Sequence, residues 1–298
     1  MLQHWIAAVR PRTLPVAVAP VIVGTCLAWA DGYAISLAVM LAAMLAATTI
    51  QIGTNLHNDV ADFERGGDDP STRLGPRRAT AEGWLAPAAV RSAARLSFSL
   101  AALCGAYLVF TGGWPILVVG VLSIVAGYSY SGGPRPISYT PLGELFVWLF
   151  FGVVAVAGSY YLHALDITPR AVIAGAILGL PAAAVLAVNN YRDLDNDRSV
   201  GRSTFAVAFG RRASCIEYAL LMLLPFVALP ALATLSSVWG WLPFAVLPWA
   251  LLLVRRVWSD EPGPRGHVLL ASTAQFQLAL SALGGAAGTA GATPVAGA

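Results

Sequence analysis

The sequence predicts an all-α, polytopic membrane protein with nine transmembrane helices. Three observations carry this reading. Of 298 residues, 57% are hydrophobic and 11% charged, whereas a soluble domain is roughly 45–50% apolar and about 25% charged. Apolar runs of the ~20 residues that a bilayer core requires recur along the whole chain. Once those runs are laid across a membrane, the arginines gather on one side of it. The same composition excludes a disordered chain, and three scattered cysteines (Cys26, Cys104, Cys215) exclude a disulfide scaffold.

The nine spans are expected at about 14–30, 34–57, 88–111, 114–131, 142–163, 169–190, 213–236, 239–256 and 268–290. Short joints such as Asp31-Gly32-Tyr33 and Thr111-Gly112-Gly113 separate several of them. The ninth is rich in Gly and Ala, residues that allow close helix packing in lipid.

All 18 basic residues are arginine. With a cytoplasmic N-terminus, the cytoplasmic segments are 1–13, 58–87, 132–141, 191–212 and 257–267. With the adjoining helix ends, these hold every arginine except Arg170. The positive-inside rule therefore predicts a multi-pass plasma-membrane protein whose N-terminus and charged loops are cytoplasmic and whose C-terminus is outside. The lipid bilayer is its surrounding, and no nucleic-acid partner is expected.

The acidic residues are clustered as well. Eight of 15 occupy two windows, Asp59 to Asp69 and Asp193 to Asp197, each directly after a hydrophobic span on the same membrane face. If the spans continue as helix, Asn58 and Asp62 share a face at i,i+4, with Asp59 one step round. Asp193 and Asp197 share a face in the same way, and Asn190 lies one turn before Asp193. Like charges so placed repel unless a cation compensates them, and carboxylates at a helix C-terminus oppose the macrodipole. Two such pairs facing each other form an oxygen-only ligand set suited to magnesium, which binds through one or two carboxylates plus substrate phosphates. Zinc is disfavoured, because His57 is the only nearby imidazole. Asp62 and Asp193 lie 131 residues apart, the spacing of an internal duplication. The chain thus reads as one domain, 1–298, with pseudo-repeat halves at about 1–131 and 132–256 and the ninth helix added.

Arginines alternate with the acids: Arg73, Arg77 and Arg78 after the first window, Arg192, Arg198 and Arg202 around the second. Guanidinium forks beside metal-binding carboxylates suit a diphosphate. A diphosphate held at the lip of an apolar bundle leaves the rest of its substrate among the helices, as an isoprenyl chain would lie.

At these residues the chain resembles the UbiA superfamily of intramembrane aromatic prenyltransferases. The resemblance begins at Arg10-Pro11-Arg12-Thr13-Leu14-Pro15 and runs through Asn58-Asp59-x-x-Asp62, Gly66-x-Asp68 and Arg73-Leu74-Gly75-Pro76-Arg77-Arg78. It continues at Gly133-Pro134-Arg135-Pro136-Ile137-Ser138-Tyr139, Leu142-Gly143-Glu144 and Phe150-Phe151-Gly152. It ends at Asn189-Asn190-x-Arg192-Asp193-x-x-x-Asp197 and Thr273-Ala274-Gln275. The Gly-Pro-Arg-Pro and Leu-Gly-Glu segments are most similar to the menaquinone branch, which prenylates 1,4-dihydroxy-2-naphthoate. Two departures stand out: Arg202 replaces a usual lysine, and Gly66 occupies a place where other branches carry an acid, with Asp68 nearby.

The resemblance implies a helical bundle with a central cavity opening near the cytoplasmic face, magnesium as cofactor, and polyprenyl diphosphate and an aromatic acceptor as substrates. It implies Asp62, Asp193 and Asp197 as catalytic acids, and Asp59, Asp62, Asp68, Asp193 and Asp197 as metal ligands. Which of Asp59, Asp62 and Asp68 touches metal directly is left open. Asn58, Arg73, Arg78, Asn190, Arg192 and Arg202 are the implied substrate contacts, and Tyr139, near the same lip, is added to them. Other acceptors of the superfamily, such as hydroxybenzoate and homogentisate, are the alternatives. A secondary transporter fits duplicated halves and intramembrane prolines loosely. Its charges would lie near the midplane, however, whereas both clusters fall where apolar runs end.

Overall fold

A computed structural model describes residues 1–67, 75, 77–233, 238–260 and 266–290. Among these the chain is helical throughout, with no strand. The helices are α1 (Leu2–Val9), α2 (Leu14–Ala30), α3 (Leu37–Glu64), α4 (Pro87–Ser129), α5 (Gly143–Trp148), α6 (Ala155–Ala164), α7 (Pro169–Arg192), α8 (Leu194–Ser199), α9 (Phe205–Ala233), α10 (Leu247–Ser259) and α11 (Gly266–Ala290). A π-helical turn, Leu149–Val154, joins α5 to α6.

Local chemistry sets several boundaries. Arg10 takes a left-handed conformation (φ 55°) and ends α1; Pro15 then sits in the first turn of α2, where its missing N–H costs nothing. The Ser36 hydroxyl caps α3 by accepting from the Val39 N–H, and Thr168 caps α7 by accepting from the Ala171 N–H. The apolar run of α3 ends near residue 57, yet the helix continues to Glu64. That extension carries Asn58, Asp59 and Asp62 on a rigid element.

Eight helices among the described residues are long and apolar enough to cross a bilayer, one fewer than the nine expected spans. The difference lies in Pro87–Ser129, a 43-residue run covering the third and fourth of them. Gly113 breaks its helical geometry at φ 68°, ψ −159°, a conformation that favours glycine. A Cβ on Gly127 would lie 3.5 Å from the Phe98 ring. The two arms therefore run side by side, folded back at Gly113. The seventh expected span, 213–236, begins earlier, at Phe205, and carries a similar break at Gly210 (φ 79°). The arginine pair after that break separates its apolar first turn, Phe205 to Phe209, from the rest of the run in a hydropathy reading.

The core lies among α2, α6, α7, α9, α10 and α11, with Tyr160, Tyr218, Met222, Leu253, Phe276 and Leu280 almost completely buried. Around it the outside is apolar: Leu103, Phe110 and Val227 are largely exposed. A soluble protein could not tolerate such a belt, and a polytopic membrane protein requires one. At the end of the bundle away from the acidic windows, Asp31 accepts from Tyr160 Oη (2.8 Å) and pairs with Arg170. The exceptional arginine thus ties α7 to the end of α2.

Glycines fix the helix that faces the site. A Cβ on Gly152 would lie 2.5 Å from Gly175 O, and one on Gly179 2.5 Å from Trp148 O. Backbone meets backbone there, so α7 and the π turn have no room for a methyl group. Gly152→Ala is expected to lower stability by about 1–3 kcal/mol through overpacking, read as thermal unfolding in detergent. Gly120→Ala, which meets open space, should not lower it, and equal effects of the two would contradict the packing.

Candidate active site

The two acidic windows meet at one end of the bundle. Asp62, on the last turns of α3, is fully buried. Its Oδ2 accepts from Arg78 NH2 at 3.1 Å, and its Oδ1 lies 2.7 Å from Arg202 NH2. The same Arg202 donates through NH1 to Asp197 Oδ1 at 3.3 Å. One guanidinium therefore joins a carboxylate of the first window to a carboxylate of the second. Burial works against the Arg202 charge, but Asp62 and Asp197 outweigh it and hold its pKa above the ordinary guanidinium value.

Backbone geometry aims these groups. Helix α7 ends at Asp193, whose dihedral angles leave the helical region, and α8 begins one residue later. The Asp197 N–H still donates to Asp193 O at 2.8 Å, so the i,i+4 relation of the pair survives the break. Asp193 is held by its neighbour: Arg192, 2% exposed, donates Nε to Asp193 Oδ1 at 2.7 Å and NH2 to Asn189 Oδ1 at 2.9 Å. Asn190 is buried one turn back and donates to Glu144 Oε1 at 2.7 Å.

Tyr139 closes the ring. Arg202 lies over its face at 4.8 Å and Arg65 at 5.6 Å, both cation–π distances. The Ser203 N–H donates to Tyr139 O at 3.1 Å, tying this segment to the stretch after α8. Arg65 also donates to the carbonyls of Ser131 and Gly133. Tyr130 stands in electrostatic reach of Glu144, Arg202, Asp62 and Asp197, and burial together with the Glu144 charge raises its pKa, so its hydroxyl stays protonated.

Asp59 plays a different part from its neighbour. Its Oδ2 accepts from the Ala79 N–H (3.1 Å) and its Oδ1 from the Thr80 N–H (3.0 Å), with the Thr80 hydroxyl also bonded to it. Both carboxylate oxygens are thus satisfied by the 79–80 segment, which holds Arg78 beside Asp62. Asp68 and Arg73, expected as a metal ligand and a substrate contact, lie outside the described residues.

Several buried polar atoms near these groups have no hydrogen-bond partner: His57 Nε2, Asn58 Oδ1, Ser138 Oγ, Tyr139 Oη and Glu144 Oε2. Such atoms are costly in a finished interior, and a cluster of them calls for a polar ligand. No group of three or more His, Cys, Asp and Glu side chains suited to one metal ion occurs among the described residues. Asp62 and Asp197 nonetheless converge on a shared cation, the Arg202 guanidinium, and their oxygens are the hard donors that magnesium favours. A small apolar cleft lined by Val23, Leu27, Ile177, Leu229 and Leu280 carries no charged group and lies apart from this cluster.

The structure thus brings Asp62, Asp197, Arg78, Arg202 and Tyr139 into one connected group, with Arg192, Asp193 and Asn190 adjoining through α7. Asn58 lies beside it on α3 with its Oδ1 unpartnered. Sequence reasoning passed over the roles of Arg65, Thr80 and Glu144. Arg65 lies within the first acidic window, the one signal that could have marked it.

Comparison with known proteins adds a family and a fold. The model of the UbiA prenyltransferase family matches residues 17–290. A 1,4-dihydroxy-2-naphthoate octaprenyltransferase of Escherichia coli is 38% identical over 265 residues, 85% of this chain and 83% of that protein. The protein of that name from Mycobacterium tuberculosis is 34% identical, covering 87% of this chain and 88% of its own. Among solved structures, a UbiA homolog from Archaeoglobus fulgidus bound to GPP and Mg2+ superposes with a TM-score of 0.72. It shares 16% identity, with 95% of this chain and 99% of that one covered.

Asp59→Asn would set an amide N–H against backbone donors and is expected to cost about 1–3 kcal/mol. Hydrogen–deuterium exchange should then speed up in the peptide containing Ala79 and Thr80, while Asp62→Asn leaves it slow. Unchanged protection in Asp59→Asn would contradict the anchoring role.

Proposed function

The chain belongs to the UbiA prenyltransferase family, and from that membership we propose that it transfers a polyprenyl group from polyprenyl diphosphate to 1,4-dihydroxy-2-naphthoate. Diphosphate and CO2 are released, and the product is demethylmenaquinone in its reduced, quinol form, a step of menaquinone biosynthesis. The reading is supported by relatives named 1,4-dihydroxy-2-naphthoate octaprenyltransferase in several bacteria, at 30–38% identity over most of the chain. One observation carries the chemistry: Asp62 and Asp197, from separate elements, converge on one cation beside two further buried arginines, Arg78 and Arg192, and the more exposed Arg65.

In the proposed mechanism the charged cluster exchanges partners when substrate arrives. The arginines now paired with carboxylates, Arg78, Arg192 and Arg202, turn to the diphosphate oxygens, with Arg73 as a fourth. Asp62, Asp193 and Asp197, with Asp68, are then free to hold divalent cations, whereas Asp59 joins them only by releasing Ala79 and Thr80. Magnesium, when bound there, supplies Lewis-acid neutralisation of the charge that develops on diphosphate. Asn58, Asn190 and Tyr139 position the substrates around the allylic carbon. The helices exclude the water that would otherwise quench an allylic cation. In this reading the charged end faces the cytoplasm, the N-terminus lies on that side and the C-terminus outside. The pseudo-repeat halves bring one aspartate window each.

Membranes carrying the chain, magnesium, a labelled prenyl diphosphate and a panel of aromatic acceptors test the reading. Prenylated dihydroxynaphthoate product is expected, and its loss after Asp62→Ala combined with Asp193→Ala. Prenylation of hydroxybenzoate but not dihydroxynaphthoate would overturn the acceptor, and unaltered turnover by the double variant would overturn the site.

A further inference from the structure

Glu144 has no task in the mechanism above, yet among the described residues it is the least explained charge. It sits in the first turn of α5, 5% exposed. Its Oε1 accepts from Asn190 Nδ2 at 2.7 Å, and its Oε2 has no hydrogen-bond partner. No cation among the described residues pairs with it. Every other buried carboxylate described at this end has either a guanidinium or two backbone N–H groups. A carboxyl oxygen withdrawn from water and given no donor is destabilising by several kcal/mol at the order-of-magnitude level, so a position that keeps one is built for something that brings a donor.

The surroundings narrow the donor. Tyr130 lies next to Glu144: a Cβ on the adjoining Gly143 would come within 3.9 Å of its hydroxyl. The same tyrosine is in electrostatic reach of Asp62, Asp197 and Arg202, so Glu144 borders the charged cluster without belonging to it. Glu217 of α9 is the other carboxyl within reach of it. An anionic ligand end at Glu144 would add charge where no cation compensates, so diphosphate and carboxylate groups belong with the guanidiniums. A neutral O–H donor fits.

We propose that Glu144 is the acceptor-side base: its Oε2 accepts a hydrogen bond from a ring hydroxyl of the aromatic acceptor and takes that proton as the ring attacks. This rests on the function proposed above. As the proton moves to Oε2, the O–H electron pair becomes a carbonyl and the ring carbon bearing the carboxylate bonds to the allylic carbon. The allylic C–O bond breaks with its electron pair going to diphosphate. The carboxylate then leaves as CO2, its bonding pair returns through the ring to the carbonyl oxygen, and that oxygen recovers the proton from Glu144. No oxidant or reductant is consumed.

Glu144→Gln keeps the shape and the contact with Asn190 but cannot take a proton. Its kcat is expected to fall about 100-fold or more, while direct calorimetric binding of prenyl diphosphate with magnesium stays within about twofold. Wild-type kcat should rise with pH to a plateau, and Glu144→Gln should lack that limb. Glu217→Gln, the other carboxyl facing this position, should retain it, and Glu144→Asp should recover part of the rate. A wild-type rate in Glu144→Gln, the limb persisting in that variant, or a proportional loss of prenyl-diphosphate binding would each overturn the proposal. If wild type prenylates a different phenol instead of dihydroxynaphthoate, the functional reading fails alone and the same comparison on that phenol decides Glu144. Prenylation of no hydroxyl-bearing aromatic would sink both.

Discussion

Asp62 is a carboxylate with no exposed surface, at the end of a membrane-spanning helix, and it survives there because two guanidiniums hold it. Taking an ion out of water costs several kcal/mol even after the protein relaxes. Arg78 and Arg202 offset that cost, and each brings its own chain segment with it. Arg78 arrives on the stretch that Asp59 anchors; Arg202 arrives on the stretch after α8, bringing Asp197 and lying over Tyr139. The architecture of this end follows from compensating one buried charge.

The same arrangement explains how the chain keeps so many acids close together. Within each window the carboxylates repel, and the arginines between them serve as internal counter-ions. Because guanidinium pairs equally well with carboxylate and phosphate, this compensation is reversible by exchange. In the proposed mechanism, a diphosphate that draws the arginines away exposes carboxylates to a divalent cation. Binding of anion and metal would then be mutually dependent, since either alone leaves charges uncompensated.

Much of this was legible in the sequence because membranes impose coarse, one-dimensional rules. Span length follows from bilayer thickness, and helical periodicity by itself places Asn58 with Asp62 and Asp193 with Asp197. What stayed hidden depends on contacts between distant segments. Asp59 and Asp62 are three residues apart on one helix, and the sequence does not say which of them faces the 79–80 amides. The Glu144–Asn190 bond joins residues 46 apart. The early start of α9 was masked by Arg211 and Arg212, whose charge ends an apolar run although the helix continues past them. The fold-back at Gly113 coincides with the Thr111-Gly112-Gly113 joint that the sequence marks. One left-handed residue suffices for the reversal, so the helix is otherwise continuous there.

The central claim is that Asp62 and Arg202 are energetically coupled across the two windows in the absence of any ligand. A double-mutant cycle of Asp62→Asn and Arg202→Gln, read as unfolding free energy in detergent without magnesium or substrate, tests it most directly. The account predicts that each single change destabilises and that the double variant loses less than the sum, with a coupling of about 0.5–3 kcal/mol. Strictly additive losses would contradict it.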